Sequence, residues 1–393
     1  MANTVLTPTA VTREFLRILH QKLNFVGTIV RSYDDSFAKE GAKIGDSLKI
    51  RLPNQYTVTS GATLNVQDTA EESVTLQVAT QKHVGMNFST AELALSLDDF
   101  SKRIIEPAAT VLAANVEADA MGMALNVYNS VWNVGAAATY NKALDARVLL
   151  NRSLAPLSDR TVNLNVLDTA DIIKDTKTLF NDSGQISKQY KEGVLGRVAG
   201  MDWMENTMWP GFTRGGADAS YVCNTSTGIT SGTATITISG GTGTSAVGDV
   251  FTIAGVFSVH PETKASTGVL QQFVVTAAGT TSQAVSPTPI TSGAKQNITI
   301  VSAGASKAVT WLGTASTATG TSLMYQKEAF AFSTADLLMP KGVDFSAREV
   351  LDGISLRIVR QYDINNDKLP CRVDVLYGYK TLRPQLAVRM HNN

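Results

Sequence analysis

Residues 215–324 form a run of 110 positions with only six charged side chains, Asp218, Asp249, Glu262, Lys264, Lys295 and Lys307, and with 36 Ser or Thr. The other 283 residues carry 62 charges, about 22% of positions against about 5%. So sharp a change of composition, with edges on both sides, marks a separate domain inserted into a longer chain. Low charge alone would also suit a disordered linker, but the apolar residues here alternate. Ala234, Ile236 and Ile238 sit between Thr and Ser, and β-rich runs recur at 250–253, 255–259, 272–275, 298–301 and 309–312. Short runs of this kind, separated by Gly, Ser, Pro and Asn turns, predict a small antiparallel sandwich or barrel at 222–324. Ile236, Ile238, Phe251, Ile253, Phe273, Val275, Ile300 and Trp311 are its expected core.

The flanks have other periods. Thr7 and Pro8 supply an N-cap and a first-turn proline. Val11, Phe15, Leu19 and Leu23 then recur every four residues, widened by Leu16 and Ile18. Residues 45–53 alternate strictly, with Leu48, Ile50 and Leu52 on one face; 73–78 alternate again and continue through Val84, Met86 and Phe88. Residues 54–72 between them are polar and rich in turn formers. A two-stranded hairpin is marginal alone, so this one is expected to find its partner surface on another molecule. Residues 98–132 predict one long helix of about 50 Å at 1.5 Å per residue, with Asp98 and Asp99 at the favourable end of its dipole. Pro107 kinks that helix or marks its true start. Val111, Leu112, Val116, Ala120, Met123, Leu125 and Val127 are its apolar side. Farther on come a helix through Leu144, Val148 and Leu149, a strand at 161–166, a helix opening at Asp168 with Ile172, Ile173 and Leu179, and strands at 356–359 and 371–375.

Several classes of chemistry find no support. Lys plus Arg and Asp plus Glu balance at 34 each, which weighs against a protein that coats nucleic acid directly. Cys223 and Cys371 lie far apart, excluding a disulfide framework or a structural zinc site. No run of about 18 apolar residues is present to span a membrane. The start of the chain lacks the basic-then-apolar layout of a secretory signal, so a soluble protein made inside the cell is expected. His20, His83, His260 and His391 have no paired spacing for a metal or a nucleophilic triad. The glycines at 240–244 resemble a phosphate-cradling loop, but β pattern rather than a helix follows, which favours a hairpin turn. Asp168, Asp171 and Lys174 read as capping and first-turn charges. No catalytic residue, cofactor or metal ligand is expected, and the chain does not read as an enzyme.

The order of parts is distinctive: amphipathic arm, long hairpin, spine helix, mixed α/β region interrupted by a β insertion, returning strands. It resembles the major capsid proteins of tailed bacteriophages, specifically the P22-type coat protein family with its Hong Kong 97 (HK97)-like fold. Residues 98–103 leading to 112–117 look like that family's spine helix. Residues 196–202 and 226–232 are similar to its approach to the insertion, 248–256 to a strand pair within it, and Leu376-Tyr377-Gly378-Tyr379 with Leu382-Arg383-Pro384 to its closing strand.

The resemblance implies an α+β fold divided as N-terminal arm 1–35, E-loop hairpin 36–92, P-domain with spine helix 93–140, first part of the A-domain 141–221, inserted β-barrel 222–324, and a return through A- and P-domain strands 325–393. It implies a structural protein, the subunit of an icosahedral head enclosing double-stranded DNA, found in the virion and, during assembly, in the host cytoplasm. Its implied partners are its own copies in pentamers and hexamers, a scaffolding protein, a portal protein at one vertex, a decoration protein, and packaged DNA without sequence-specific contact. A rim contact is expected between Asp68, Glu71 and Glu72 at the hairpin and Lys102 and Arg103 of a neighbour's spine helix. Two features depart from the pattern. The insertion has no charged projecting loop after Gly232, and residues 54–81 hold no lysine for a covalent Lys–Asn weld. A tail-tube, decoration or adhesin subunit is the alternative structural reading, disfavoured by the long helix; an enzyme with an unrecognised site is the other.

Overall fold

The computed structural model describes residues 8–33, 46–62, 64, 66–68, 71–88, 105–176, 196–351, 353–364 and 368–392. The fold is mixed α+β in two compact units, one of residues 1–50, 73–121 and 330–380, the other of 51–72, 122–329 and 381–393.

In the first unit a six-stranded sheet runs in the order Val30–Tyr33, Phe330–Ala335, Leu369–Thr381, Ile354–Arg360, Phe345–Leu351, with Thr80–Phe88 also paired to Leu369–Thr381. Phe330–Ala335 is buried at every position, as an apolar strand covered on both faces must be. Helix Pro8–Lys22 lays Phe15, Leu16, Ile18 and Leu19 against helix Glu106–Met121 and strands Phe345–Leu351 and Ile354–Arg360, leaving Arg13 and Arg17 outside. The stripe of the amphipathic arm is therefore buried on its own chain; Thr7 lies outside the described residues.

The long helix expected over 98–132 is shorter. Among the described residues it spans Glu106–Met121, with Pro107 in its first turn, then tightens to a 3-10 turn at Gly122–Asn126 and gives way to strand Ser130–Trp132. Gly122 is the physical reason for the stop, because glycine loses the most backbone freedom in a helix. Residues 98–104 lie outside the described set. The buried face is Leu112, Ala113, Val116 and Ala120, while Val111 is exposed. Glu117 on this face is buried and accepts the amides of Asn24 (3.1 Å), Phe25 and Val26 (3.3 Å), which cap the short helix Phe25–Thr28. A carboxylate at a helix N-terminus satisfies donors that have no intrahelical partner.

Among its described residues the second unit holds two seven-stranded sheets. One runs Ser130–Trp132, Ala387–Asn392, Ala318–Gln326, Arg160–Leu164, Met201–Glu205, Arg197–Val198, with Phe212–Thr213 also on Ala318–Gln326. Helix Tyr140–Arg152 buries Ala143, Ala146 and Leu150 rather than Val148, which is exposed. Helix Val166–Thr176 is capped by Asn165, whose Oδ1 accepts the Asp168 amide at 2.7 Å. Asp168 is thus not the cap. It is buried, and its carboxylate accepts from Ser322 Oγ (2.6 Å) and Asn392 Nδ2 (2.9 Å). Asp171 and Lys174 pair at the surface, 2.9 Å apart.

The charge-poor stretch forms the other sheet, in the order Val222–Cys223, Lys307–Trp311, Val250–Val259, Ser266–Ala277, Ser282–Ser286, Thr235–Thr237, with Ile298–Ile300 beside Val250–Val259. Its pairs are antiparallel. The two ends of this order meet: Val222 and Ser239 exchange both backbone bonds at 2.8 and 2.9 Å. Ile236, Ile238, Phe251, Ile253, Phe273, Val275 and Trp311 share one buried core, and Ile300 packs half-buried against it. The segments leading in and out run side by side. Arg214 donates its amide to the Thr317 carbonyl (3.2 Å) and Ser316 to that of Gly215 (3.3 Å). The glycines at 240–244 form a turn without a following helix; a Cβ on Gly243, at φ +84°, would meet the Gly216 carbonyl oxygen at 2.1 Å.

Candidate assembly surface and buried charge junction

Strands Asp46–Leu52 and Glu72–Val78 form the two-stranded ribbon. Leu48, Ile50 and Leu52 are half-buried in alternation with exposed neighbours, as a one-sided strand requires. Across the tip, Gln67 zips to Thr57: its Oε1 accepts the Thr57 amide at 2.9 Å and hydroxyl at 3.1 Å. Tyr56, Val58, Leu64 and Val66 nevertheless point into solvent, Val58 at 97% and Leu64 at 86% exposure. Apolar side chains gathered on one exposed element mark an interaction surface.

The charged residues expected at the rim are placed as follows. Glu71 lies 3.3 Å from Arg51 on the opposite strand of the ribbon. Glu72 pairs with Lys295 of the β-rich stretch. Asp68 is exposed, and Lys102 and Arg103 lie outside the described residues. Glu71 and Glu72 therefore already have partners within the chain. Such half-exposed pairs contribute about 0–1 kcal/mol each, enough to favour a register and too little to hold two subunits.

A second constellation went unanticipated. Arg214, Asp249 and Arg389 are buried where the β-rich stretch leaves the rest of its unit. Asp249 accepts the amides of Gly215 (3.1 Å) and Ala246 (2.9 Å). Arg389 donates Nε to the Val127 carbonyl (3.0 Å) and Nη2 to that of Gly248 (2.7 Å); Arg214 donates to the carbonyls of Gly313 (3.0 Å) and Ala217. Burial drives the ionisations. It pushes the Arg389 guanidinium down to about 9, against the pull of Asp249, and it lowers Arg214. Burial raises the Asp249 carboxyl, opposed by the Ala246 and Gly215 amides and by both arginines. The hydrogen bonds of these three buried side chains thus tie the lead-in at 214–215, the exit at Gly313 and the closing strand together. Its sequence signal was faint but present: Asp249 is one of six charges in 110 residues and directly precedes an apolar strand, where an isolated charge is poorly used on a surface.

Among the described residues no three His, Cys, Asp or Glu side chains gather as a metal-ligating group, and no helix there is long and apolar enough to cross a membrane. The geometry on display is that of packing and docking: a ribbon with an apolar tip and a buried joint.

No curated protein matches the sequence. Among solved structures, the chain is similar to one of Mycobacterium phage Che8 at 11% identity, covering 94% of this chain and 90% of that one, with a TM-score of 0.47. A capsid chain of cyanophage P-SCSP1u is also 11% identical, with 89% and 84% covered and a TM-score of 0.46. For the mature capsid of bacteriophage PhiM1 the values are 11%, 94%, 87% and 0.43. The sequence profile of the P22 coat protein, gene protein 5, matches residues 8–391, nearly the whole length. The chain belongs to the P22 coat protein family.

Proposed function

We propose that the ribbon, through its apolar tip, seats each subunit of this coat protein on an adjacent copy. The chain is a major capsid protein, building the icosahedral head of a tailed phage from copies of itself, which sets aside the tail-tube, decoration and adhesin alternatives. The observation that carries the docking role is the exposure of Tyr56, Val58, Leu64 and Val66 on an element too thin to bury them. Covering a Val or Leu side chain on a neighbour gains about 1.5–3 kcal/mol, and closed symmetry repeats that gain at every subunit.

The test is the double substitution Val58→Asp, Leu64→Asp. Both side chains are exposed in the single chain, so its unfolding free energy should change by no more than about 0.5 kcal/mol. Sedimentation should show closed particles replaced by free subunits. Particles at normal yield, or a cryo-EM map with the tip folded back on its own chain, would remove the proposal.

The finer assignment follows the family pattern: an HK97-like layout with arm, E-loop, P-domain and A-domain at the boundaries given above, pentamers and hexamers, and partnership with scaffolding, portal and decoration proteins. Assembly takes place in the host cytoplasm around a scaffold, and DNA enters later without sequence-specific contact, which the neutral charge suits. The stretch 222–324 acts as an autonomous β-barrel that braces the subunit. Supporting this are its contiguous strands, its own core, its paired ends and the Val222–Ser239 closure. The shell is held without covalent links, since residues 54–81 contain no lysine. Boiled particles on a denaturing gel should release one band near 41.9 kDa; a ladder of heavier bands would show a cross-link.

A further inference from the structure

Strand Ser130–Trp132 is held from two sides within the second unit. It runs parallel to Ala387–Asn392, with Arg389 opposite Ser130 and His391 opposite Trp132. From the β-rich stretch, Gln272 accepts the Ser130 amide (2.7 Å) and donates to the Ser130 carbonyl (3.0 Å). The His391 ring stacks on Trp132 with centroids 4.0 Å apart and meets Phe212 at 5.2 Å; its Nδ1 is 3.3 Å from Thr319 Oγ1. Behind Trp132, Gly313 leaves no slack, since a Cβ there would come within 2.4 Å of the indole. His391 is 0% exposed, and its Nε2 has no hydrogen-bond partner.

We propose that His391 makes this seam acid-labile: taking up a proton adds a cation beside Arg389 in a closed aromatic chamber and releases Ala387–Asn392 from Ser130–Trp132. The charge that acts on the imidazole is Arg389, on the histidine's own strand; Asp249, before strand Val250–Val259, acts on Arg389 and on Arg214, and Trp132, Phe212 and Thr319 bring no charge. Asp249 is already shared between two arginines, so a third cation lacks a counter-charge. Burial first, then the charge of Arg389, holds the imidazole well below its ordinary range. The folded chain therefore refuses a proton that the unfolded chain accepts. Stability present above the unfolded value of about 6.5 is lost as pH falls below it, by up to about tenfold in the folding constant per pH unit. Asp168 and Asp249, raised by burial, titrate with the opposite sign: their contribution is lost as pH rises. They cannot imitate the effect.

The experiment follows denaturant unfolding of the full chain between pH 7.5 and 5.5, together with amide protection factors at 129–133 and 387–392. Three proteins are compared: the native chain, His391→Asn, and a triple variant His20→Gln, His83→Gln, His260→Gln that keeps only His391. The native and triple chains should lose about fivefold in the folding constant between pH 6.5 and 5.5, with protection at 387–392 falling first, and His391→Asn should stay flat. If His391→Asn does not fold, the triple variant and the protection factors decide. A flat native or triple chain, an undiminished slope in His391→Asn, or protection at 387–392 that outlasts the rest of the unit would each overturn the proposal.

Discussion

Phe273→Ala should destabilise the β-rich stretch by about 3–5 kcal/mol, the range for emptying a buried Phe site. Phe273 is fully buried and stands directly opposite Phe251, ring centroids 5.9 Å apart; Phe251 in turn packs on Trp311 at 4.9 Å. The three rings come from three adjacent strands, so no single strand can move in to fill the space. Tryptophan fluorescence during urea unfolding of the full chain, to which Trp311 contributes, reports the loss, and soluble coat protein should fall with it. A change under about 1 kcal/mol would place Phe273 in a site that collapses freely, contrary to a closed core.

Asp249→Ala should be comparably severe, at about 3–5 kcal/mol, because it leaves the Gly215 and Ala246 amides unpaired and removes the carboxylate whose charge acts on the buried Arg214 and Arg389. The direction of the compensating change distinguishes charge from packing. Adding Arg389→Met removes one buried cation and its desolvation, so the double variant should unfold less easily than the sum of the single losses implies. A double-mutant cycle measures this coupling. Strict additivity would mean that Arg389 and Asp249 act independently.

The sequence was legible wherever one period repeats. The strands and apolar positions from Ile236 to Trp311 follow alternation against a Thr and Ser background, and that pattern has one physical solution, an apolar face turned inward. Leu48, Ile50 and Leu52 were legible for the same reason. Where two signals competed, the local one misled. The apolar run through Leu125 and Val127 continued a helical pattern past Gly122, yet the backbone cost at the glycine ends the helix at Met121. Val148 matched the helical spacing, but the adjoining sheet selects the smaller Ala143 and Ala146 for the close contact. The rim charges illustrate a further limit, since Glu72 finds Lys295 more than 200 positions away, a pairing that no spacing rule encodes. The buried joint was least visible: Arg214, Asp249 and Arg389 come from three distant segments, and charge content alone suggests only a solvated surface.

The position of Ala387–Asn392 sets a timetable for making the subunit. This strand is interior to its sheet, parallel to Ser130–Trp132 on one side and antiparallel to Ala318–Gln326 on the other. The β-rich sheet, by contrast, has all its strands by Trp311. Another 81 residues must be synthesised before Asn392 exists, about 4–16 s at 5–20 residues per second. During that interval the β-rich stretch can fold, and once Ala318–Gln326 has been made it and Ser130–Trp132 flank an empty slot between them. A growing chain is therefore open to pairing with the wrong edge until its closing strand arrives, and slower translation through 327–392 should lengthen that exposure.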